Sequence, residues 1–255
     1  MKRIISVLNQ KGGVGKTTTV INLAAYLAKM GLKILVIDLD PQGNTTSGLG
    51  IDKLSLTKNI YQALIEGAKV DSLILKTSQP NLSLVPTNTD LAGAEVQLAT
   101  DKNMDTKLRD VLQASQQQYD LVFIDCPPSL GLLSINALVA STDVIIPVQT
   151  EYYAMEGLSQ LIQVIDRIQA QLNPTLQILG VLMTMYDSRT SLSSQVHEEI
   201  KRVFGDLVFE TLIPRNVRLA EAPSHGKPIM QYDKWSKGAR AYKNLAKEVQ
   251  NRVNS

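Results

Sequence analysis

Residues 10–18 read Gln-Lys-Gly-Gly-Val-Gly-Lys-Thr-Thr. They lie between an apolar run, Ile4-Ile5-Ser6-Val7-Leu8, and a helical pattern with Val20, Leu23, Ala24 and Leu27 on one face. Strand, glycine-rich turn and helix in this order make a phosphate-binding loop. Gly12, Gly13 and Gly15 let the backbone from Lys11 to Thr18, Val14 included, curl closely enough to aim several N–H groups at one anion. The helix opening near Gly15 adds the positive end of its dipole. Lys16 is expected to set a point charge on the outer phosphates, and the Thr17 hydroxyl to ligate Mg²⁺. The alternative, a plain glycine turn with incidental lysines, fits poorly with the Gly-Lys-Thr-Thr ending. One position departs from the usual G-x-x-x-x-G-K-T pattern: Gln10 stands where the first glycine belongs, and a second lysine, Lys11, follows it.

Two further apolar runs end in aspartate. Lys33-Ile34-Leu35-Val36-Ile37-Asp38 continues into Leu39-Asp40-Pro41-Gln42-Gly43-Asn44, and Tyr119-Asp120-Leu121-Val122-Phe123-Ile124-Asp125 into Cys126-Pro127-Pro128. Uninterrupted apolar runs suit strands buried on both faces. Carboxylates at the carboxyl ends of parallel strands, beside a phosphate loop, are placed for Mg²⁺ or for a water. Asp125 is expected to hold the metal through a bound water; Asp38 could instead be a helix cap. Strands are also predicted over Leu82–Pro86, Asp143–Val148, Ile178–Thr184 and Val208–Pro214. Helices are predicted over Leu56–Gly67, Asp90–Ala99, Asp105–Gln117, with Gln116-Gln117-Gln118 ending a solvated helix, and around a Met155-to-Leu172 stripe read as core. The fold class that follows is α/β: a mostly parallel, twisted sheet flanked by helices on both faces. No linker or repeat divides residues 1–255, so a single domain is expected.

With 44% hydrophobic residues the chain can bury a sizeable core. No apolar run reaches the roughly 18 residues that span a bilayer, and no secretory signal is evident. A lone cysteine, Cys126, fits a reducing cytosol and is read as a small buried residue; with two histidines it leaves little for a zinc site. The net charge of +2 does not announce nucleic acid by itself.

The loop K-G-G-V-G-K-T-T, with Lys11 in the signature position, resembles the deviant Walker A motif of the ParA/MinD ATPase superfamily, and D-x-D-P-Q at Asp38–Gln42 and D-x-P-P at Asp125–Pro128 match it too. The resemblance runs from Ile4 through Glu221-Ala222-Pro223-Ser224-His225-Gly226 and is nearest to chromosomal ParA (Soj-like) proteins. It implies ATP and Mg²⁺ as cofactors and a homodimer in the ATP state, with Lys11 reaching the phosphates of the partner subunit. It also implies that Asp40 positions or activates the attacking water and that Asp38 supports the phosphate and metal region. Segment 151–157 is expected near the dimer face. Pro214 and Asn216 are implied to hold the adenine, although a plain turn accounts equally well for Pro214-Arg215-Asn216. Arg189 and Arg218 are implied to bind double-stranded DNA non-specifically, and a ParB-like centromere-binding protein is the expected partner of a cytoplasmic, nucleoid-associated ATPase. The two cysteines per subunit of the iron–sulfur nitrogenase reductases are missing. A chain without the N-terminal helix-turn-helix extension of larger plasmid-type members is expected, and His225 is read as capping or packing.

The tail from Gln231 to Ser255 carries six bases against two acids, +4 on a chain totalling +2. Tyr242, Leu245, Ala246, Val249 and Val253 share one helical face. Three readings compete: a surface helix with solvated lysines, a membrane helix, and a phosphate-backbone footprint. A membrane surface is disfavoured because the apolar face is small and β-branched. By charge, Lys227, Lys234, Lys237 and Arg240 are weaker DNA candidates. A MinD-like or other nucleotide-switched scaffold for membrane or protein cargo is the alternative to DNA partition.

Overall fold

The computed structural model describes residues 3–152 and 154–254. The apolar runs form β1 (Arg3–Val7), β2 (Ile34–Asp38), β3 (Leu75–Lys76), β4 (Leu82–Val85), β5 (Leu121–Asp125), β6 (Asp143–Gln149) and β7 (Gln177–Thr184). They share one sheet in the order β3-β4-β2-β5-β1-β6-β7. Every pairing is parallel except the short antiparallel edge of β3 on β4. The expected α/β sheet is present, and β3 is an edge that its two residues were too few to signal.

The helices are α1 (Lys16–Lys29), α2 (Asn44–Gly48), α3 (Ile60–Ile65), α4 (Ala94–Leu98), α5 (Lys107–Gln113), α6 (Leu132–Ala140), α7 (Ala154–Gln171), α8 (Ser191–Phe204), α9 (Val217–Glu221), α10 (Ile229–Tyr232) and α11 (Lys237–Asn254). They cover both faces. On one face α1 and α11 pack Leu23, Leu27, Tyr242, Leu245 and Val249 against Ile34, Val36 and Phe123. On the other, α5 to α8 pack Leu108, Leu138, Leu161, Ile165 and Ile200 against Leu35, Ile37 and Ile124. Alternate residues of β2 thus enter opposite layers, as the period of two requires.

Several boundaries differ from expectation. Helix α3 starts late because Asn59 caps it: its side chain accepts from Tyr61 N (2.8 Å), while Gln62 Oε1 accepts from Asn59 N (2.7 Å). The 90–99 stretch divides into a 3₁₀ turn (Thr89–Gly93) and α4. The glutamine run does not end a helix. Chain leaves α5 before it, drawn off by Asp71, which accepts from Ser115 Oγ (2.5 Å) and Gln116 N (2.9 Å).

Residues 208–214 do not form the expected last strand. They meet β7 at an isolated bridge, Val208 to Val181, with Phe209 N donating to Val181 O and Ile213 N to Met183 O, both 2.9 Å. Between these points Glu248 of α11 takes the N–H groups of Glu210 (2.8 Å) and Thr211 (3.1 Å), so a side chain replaces the ladder. Within the expected interface segment 151–157, residue 153 lies outside the described residues.

Topology places the chemistry. In the register of the sheet, Val7 pairs with Asp125, and Asp38 pairs with Asp125. The carboxyl ends of β1, β2 and β5 therefore bring the glycine loop and two aspartates together, where ligands bind in open α/β sheets.

Candidate functional site

The glycine loop is held open by its own backbone. Gly13 (φ +76°) and Gly15 (φ +90°) occupy the left-handed region, which side chains rarely adopt. Thr184 Oγ1 at the end of β7 donates to Val14 O (2.8 Å), and Lys11 N donates to Asn9 Oδ1 (2.9 Å), fixing the loop at two points. Lys16 Nζ bends back over the loop to Lys11 O (3.1 Å) and is buried. Burial lowers its pKa, while the nearby charges of Asp125 and Asp40 work in the opposite direction.

Beneath the loop, Asp125 Oδ2 accepts from two hydroxyls, Thr17 Oγ1 (2.8 Å) and Thr45 Oγ1 (2.7 Å). Its Oδ1 is buried and has no hydrogen-bond partner. A buried carboxylate oxygen left without a donor is costly unless a ligand completes it. This one lies beside the Thr17 hydroxyl, so the residues present fit a hydrated divalent cation. Asp38 is also fully buried, but its oxygens are taken: Oδ2 by Thr46 N and Thr46 Oγ1 (2.7 Å each), Oδ1 by Asp40 N (3.3 Å). Asp38 thus anchors the loop that carries Asp40. Asp40 Oδ1 in turn accepts from Gln42 N (3.0 Å). Burial first, and then the Asp125 charge, push the Asp38 carboxyl up to about 8, against the Thr46 hydrogen bonds. Burial raises Asp125 to about 6, with the Thr45 and Thr17 hydrogen bonds opposing it.

A cleft of about 360 Å³ continues from Gly15 and Thr18 between Met185, Pro214, Asn216 and Tyr242. Asn216 Oδ1 is buried there without a partner, the second such side-chain oxygen among the described residues. Met185 adopts φ +51°, a strained setting for its residue type that marks a site under constraint. The 186–190 and 214–218 segments are joined here, Tyr186 N donating to Ile213 O (3.0 Å) and Arg215 N to Tyr186 O (3.2 Å). A hollow of about 450 Å³ at the opposite end of the sheet, near Ile4, Arg109 and Thr175, has no glycine loop and no orphaned polar atom.

The two loop lysines part company. Lys16 is buried in the loop, whereas Lys11 stands 53% exposed and forms an ion pair with Glu151, just past β6. The basic residues are on the surface. The Arg189 side chain, 85% exposed, is gripped by Asp187 through two hydrogen bonds, Nε–Oδ1 2.9 Å and Nη2–Oδ2 2.7 Å. This grip holds the Asp187 carboxyl far below the usual range. Arg218 pairs with Glu221 (2.9 Å) and lies 3.6 Å from Asp233. Lys227, Lys234, Lys237 and Arg240 are exposed. Sequence reasoning overlooked Thr45, Thr46, Met185, the pairing of Glu151 with Lys11 and the three carboxylates that hold the arginines. The hydroxyls have meaning only through partners in other elements, whereas Asp187, two residues from Arg189, and Glu221, three residues from Arg218, were locally detectable.

Against known proteins, a family model described as AAA domain matches residues 2–178. The chain is 55% identical over 249 residues to the sporulation initiation inhibitor protein Soj of Bacillus subtilis, covering 98% of each chain. It is 51% identical over 250 residues to the chromosome partitioning protein ParA of Myxococcus xanthus, covering 98% of this chain and 88% of that one. Among solved structures, cobyrinic acid a,c-diamide synthase from Mycobacterium smegmatis, with bound ADP and magnesium, is 37% identical. It superposes with a TM-score of 0.87, covering 100% of this chain and 96% of that one.

Proposed function

Because the chain belongs to the ParA/MinD superfamily of deviant Walker A ATPases, on its Soj/ParA branch, we propose that it is a DNA-partitioning ATPase switched by dimerisation around ATP. The observation that carries this reading is the parting of the two lysines. Lys16 serves its own loop; Lys11, on the same loop, turns its side chain outward to an exposed ion pair with Glu151, from which it can be handed to a second subunit. A cation supplied in trans makes hydrolysis conditional on assembly.

In this mechanism the N–H groups of Gly12 to Thr18 and the Lys16 ammonium cradle the phosphates. Thr17, and Asp125 through water, would hold Mg²⁺, which neutralises charge on the β- and γ-phosphates when bound. Asn216 Oδ1 accepts from the exocyclic amine of adenine, and Pro214 packs on the ring. Asp38 fixes the loop, and Asp40 orients the attacking water. Turnover by the protein alone is slow, because the transition-state groups are incomplete until dimer and partner meet. The dimer joins two copies of the Arg189 and Arg218 surface on non-specific duplex DNA, whose backbone contacts multiply affinity. A ParB-like protein stimulates hydrolysis and resets the switch, in the cytoplasm and on the nucleoid.

The alternative, a scaffold on a membrane, is weakened by α11. Its apolar residues Tyr242, Leu245, Ala246 and Val249 are buried with α1, leaving little to insert in lipid. No helix among the described residues is long and apolar enough to cross a membrane. The deciding experiment is the mass in solution of Asp40→Ala protein with ADP and with ATP, with and without random duplex DNA. Monomer with ADP, dimer with ATP and DNA bound by the dimer alone is the expected result. A monomer throughout, or DNA binding blind to nucleotide, would reject the switch.

A further inference from the structure

The chain has one tryptophan, Trp235, and it stands 78% exposed immediately ahead of α11. An indole left in water is a large apolar surface with one polar tip, the kind of group that earns its place at an interface. Its surroundings combine three cations, Arg218, Lys234 and Lys237, with the carboxylates of Glu221 and Asp233. Lys234 Nζ lies 5.1 Å from the ring centroid. Asp233 accepts from Trp235 N (3.1 Å) and lies 3.6 Å from Arg218 Nε, which ties the tryptophan turn to the arginine. A β-carbon on Gly238 would come within 2.6 Å of Leu219 Cγ, so the start of α11 is pressed against α9. Arg218, Lys234, Trp235 and Lys237 therefore share one surface.

Cations alone suffice for a duplex, which offers its phosphates outward and keeps the faces of its bases stacked. An indole gains nothing comparable from that rim. It gains most from a base whose face is free, and stacking of this kind is indifferent to sequence. Resting on the DNA-binding reading above, we infer that this surface also binds unpaired DNA, with Trp235 as the stacking platform and Arg218, Lys234 and Lys237 along the backbone. Arg218, Lys234 and Lys237 face Glu221 and Asp233 here, a net positive charge of one, and once a phosphate takes Arg218 from its carboxylates the cations favour a polyanion over an apolar peptide or a neutral lipid face.

The single tryptophan makes the test direct. Full-length protein with a non-hydrolysable ATP analogue is titrated with an oligo-dT strand, and separately with a random duplex of equal length. Tryptophan emission and filter retention are followed together. The strand is expected to quench the emission, and Trp235→Ala to weaken strand binding about tenfold while changing duplex binding less than about twofold. Trp235→Phe should restore most of the strand affinity, and ATP hydrolysis should be unchanged in both variants. Unaltered strand affinity in Trp235→Ala, unchanged emission at saturation, or an equal loss on strand and duplex would each overturn the inference. Arg189→Glu, run in parallel, separates the two claims. If that variant keeps full duplex binding, the underlying DNA reading fails; if it loses the duplex while Trp235→Ala keeps the strand, only the stacking role fails.

Discussion

The nucleotide end of the sheet and the arginine surface handle charge in opposite ways. At the sheet end, Asp38, Asp125 and Lys16 are buried, and their hydrogen-bonding partners are hydroxyls and backbone groups of the glycine loop and of the first turns of α1 and α2. On the surface, Arg189 and Arg218 are exposed, and each is matched with carboxylates a few residues away or across a turn. A buried charge tolerates no misplacement, since desolvation is repaid only by exact geometry. A surface ion pair is worth about 0–1 kcal/mol, so phosphate can replace carboxylate at little cost. On the proposed function, the first region holds one ligand in one place and the second exchanges partners.

The largest effect expected on this contrast comes from Lys16→Ala, which should weaken ATP binding more than about a hundredfold by removing the charge aimed at the phosphates. Calorimetry with Mg-ATP measures it; near-normal affinity would mean that the loop backbone suffices. Next, Asp40→Ala should retain ATP, accumulate as dimer and lose about a hundredfold or more in kcat, the range for a misplaced catalytic base. Phosphate release reads this, and normal turnover would remove Asp40 from its role. On the surface, Arg189→Glu should lower duplex affinity about tenfold and reduce the salt slope by about one phosphate contact, with ATP binding intact.

Stability against pH probes the buried end. Asp38 has its folded pKa raised, so the stability it contributes is fully present below its ordinary value and lost as pH climbs through about 8. The nucleotide-free protein should therefore lose roughly 5 °C in Tm between acid and mildly alkaline pH, and Asp38→Asn should flatten that slope. An unchanged slope would assign the loss to other groups. The smallest effect should be that of Asp187→Asn, which frees Arg189 and should raise duplex affinity about twofold to threefold. A tenfold gain would show that the carboxylate is a strong mask rather than a cheap placeholder.

Much of the site was legible in residue order because its groups are local to strand ends. Gly12 to Thr18 declare a loop, and Asp38 and Asp125 each end an apolar run whose parallel pairing sets them side by side, with Asp40 two residues beyond. The strand expected over 208–214 failed for the opposite reason: Glu248, far along the chain, takes its donors. The glutamine run was lost as a helix end because Asp71 intercepts the backbone there.

By itself, then, the sequence determined the α/β layering, the phosphate loop and the aspartates around it, since periodicity and glycine placement act within a few residues. Only the tertiary structure decided which oxygens remain open, Asp125 Oδ1 and Asn216 Oδ1, and that Lys11 turns outward to Glu151. It alone linked the Trp235 turn to Arg218 through Asp233. Hydrogen-bond saturation and surface adjacency depend on segments far apart in the chain, and no local pattern encodes them.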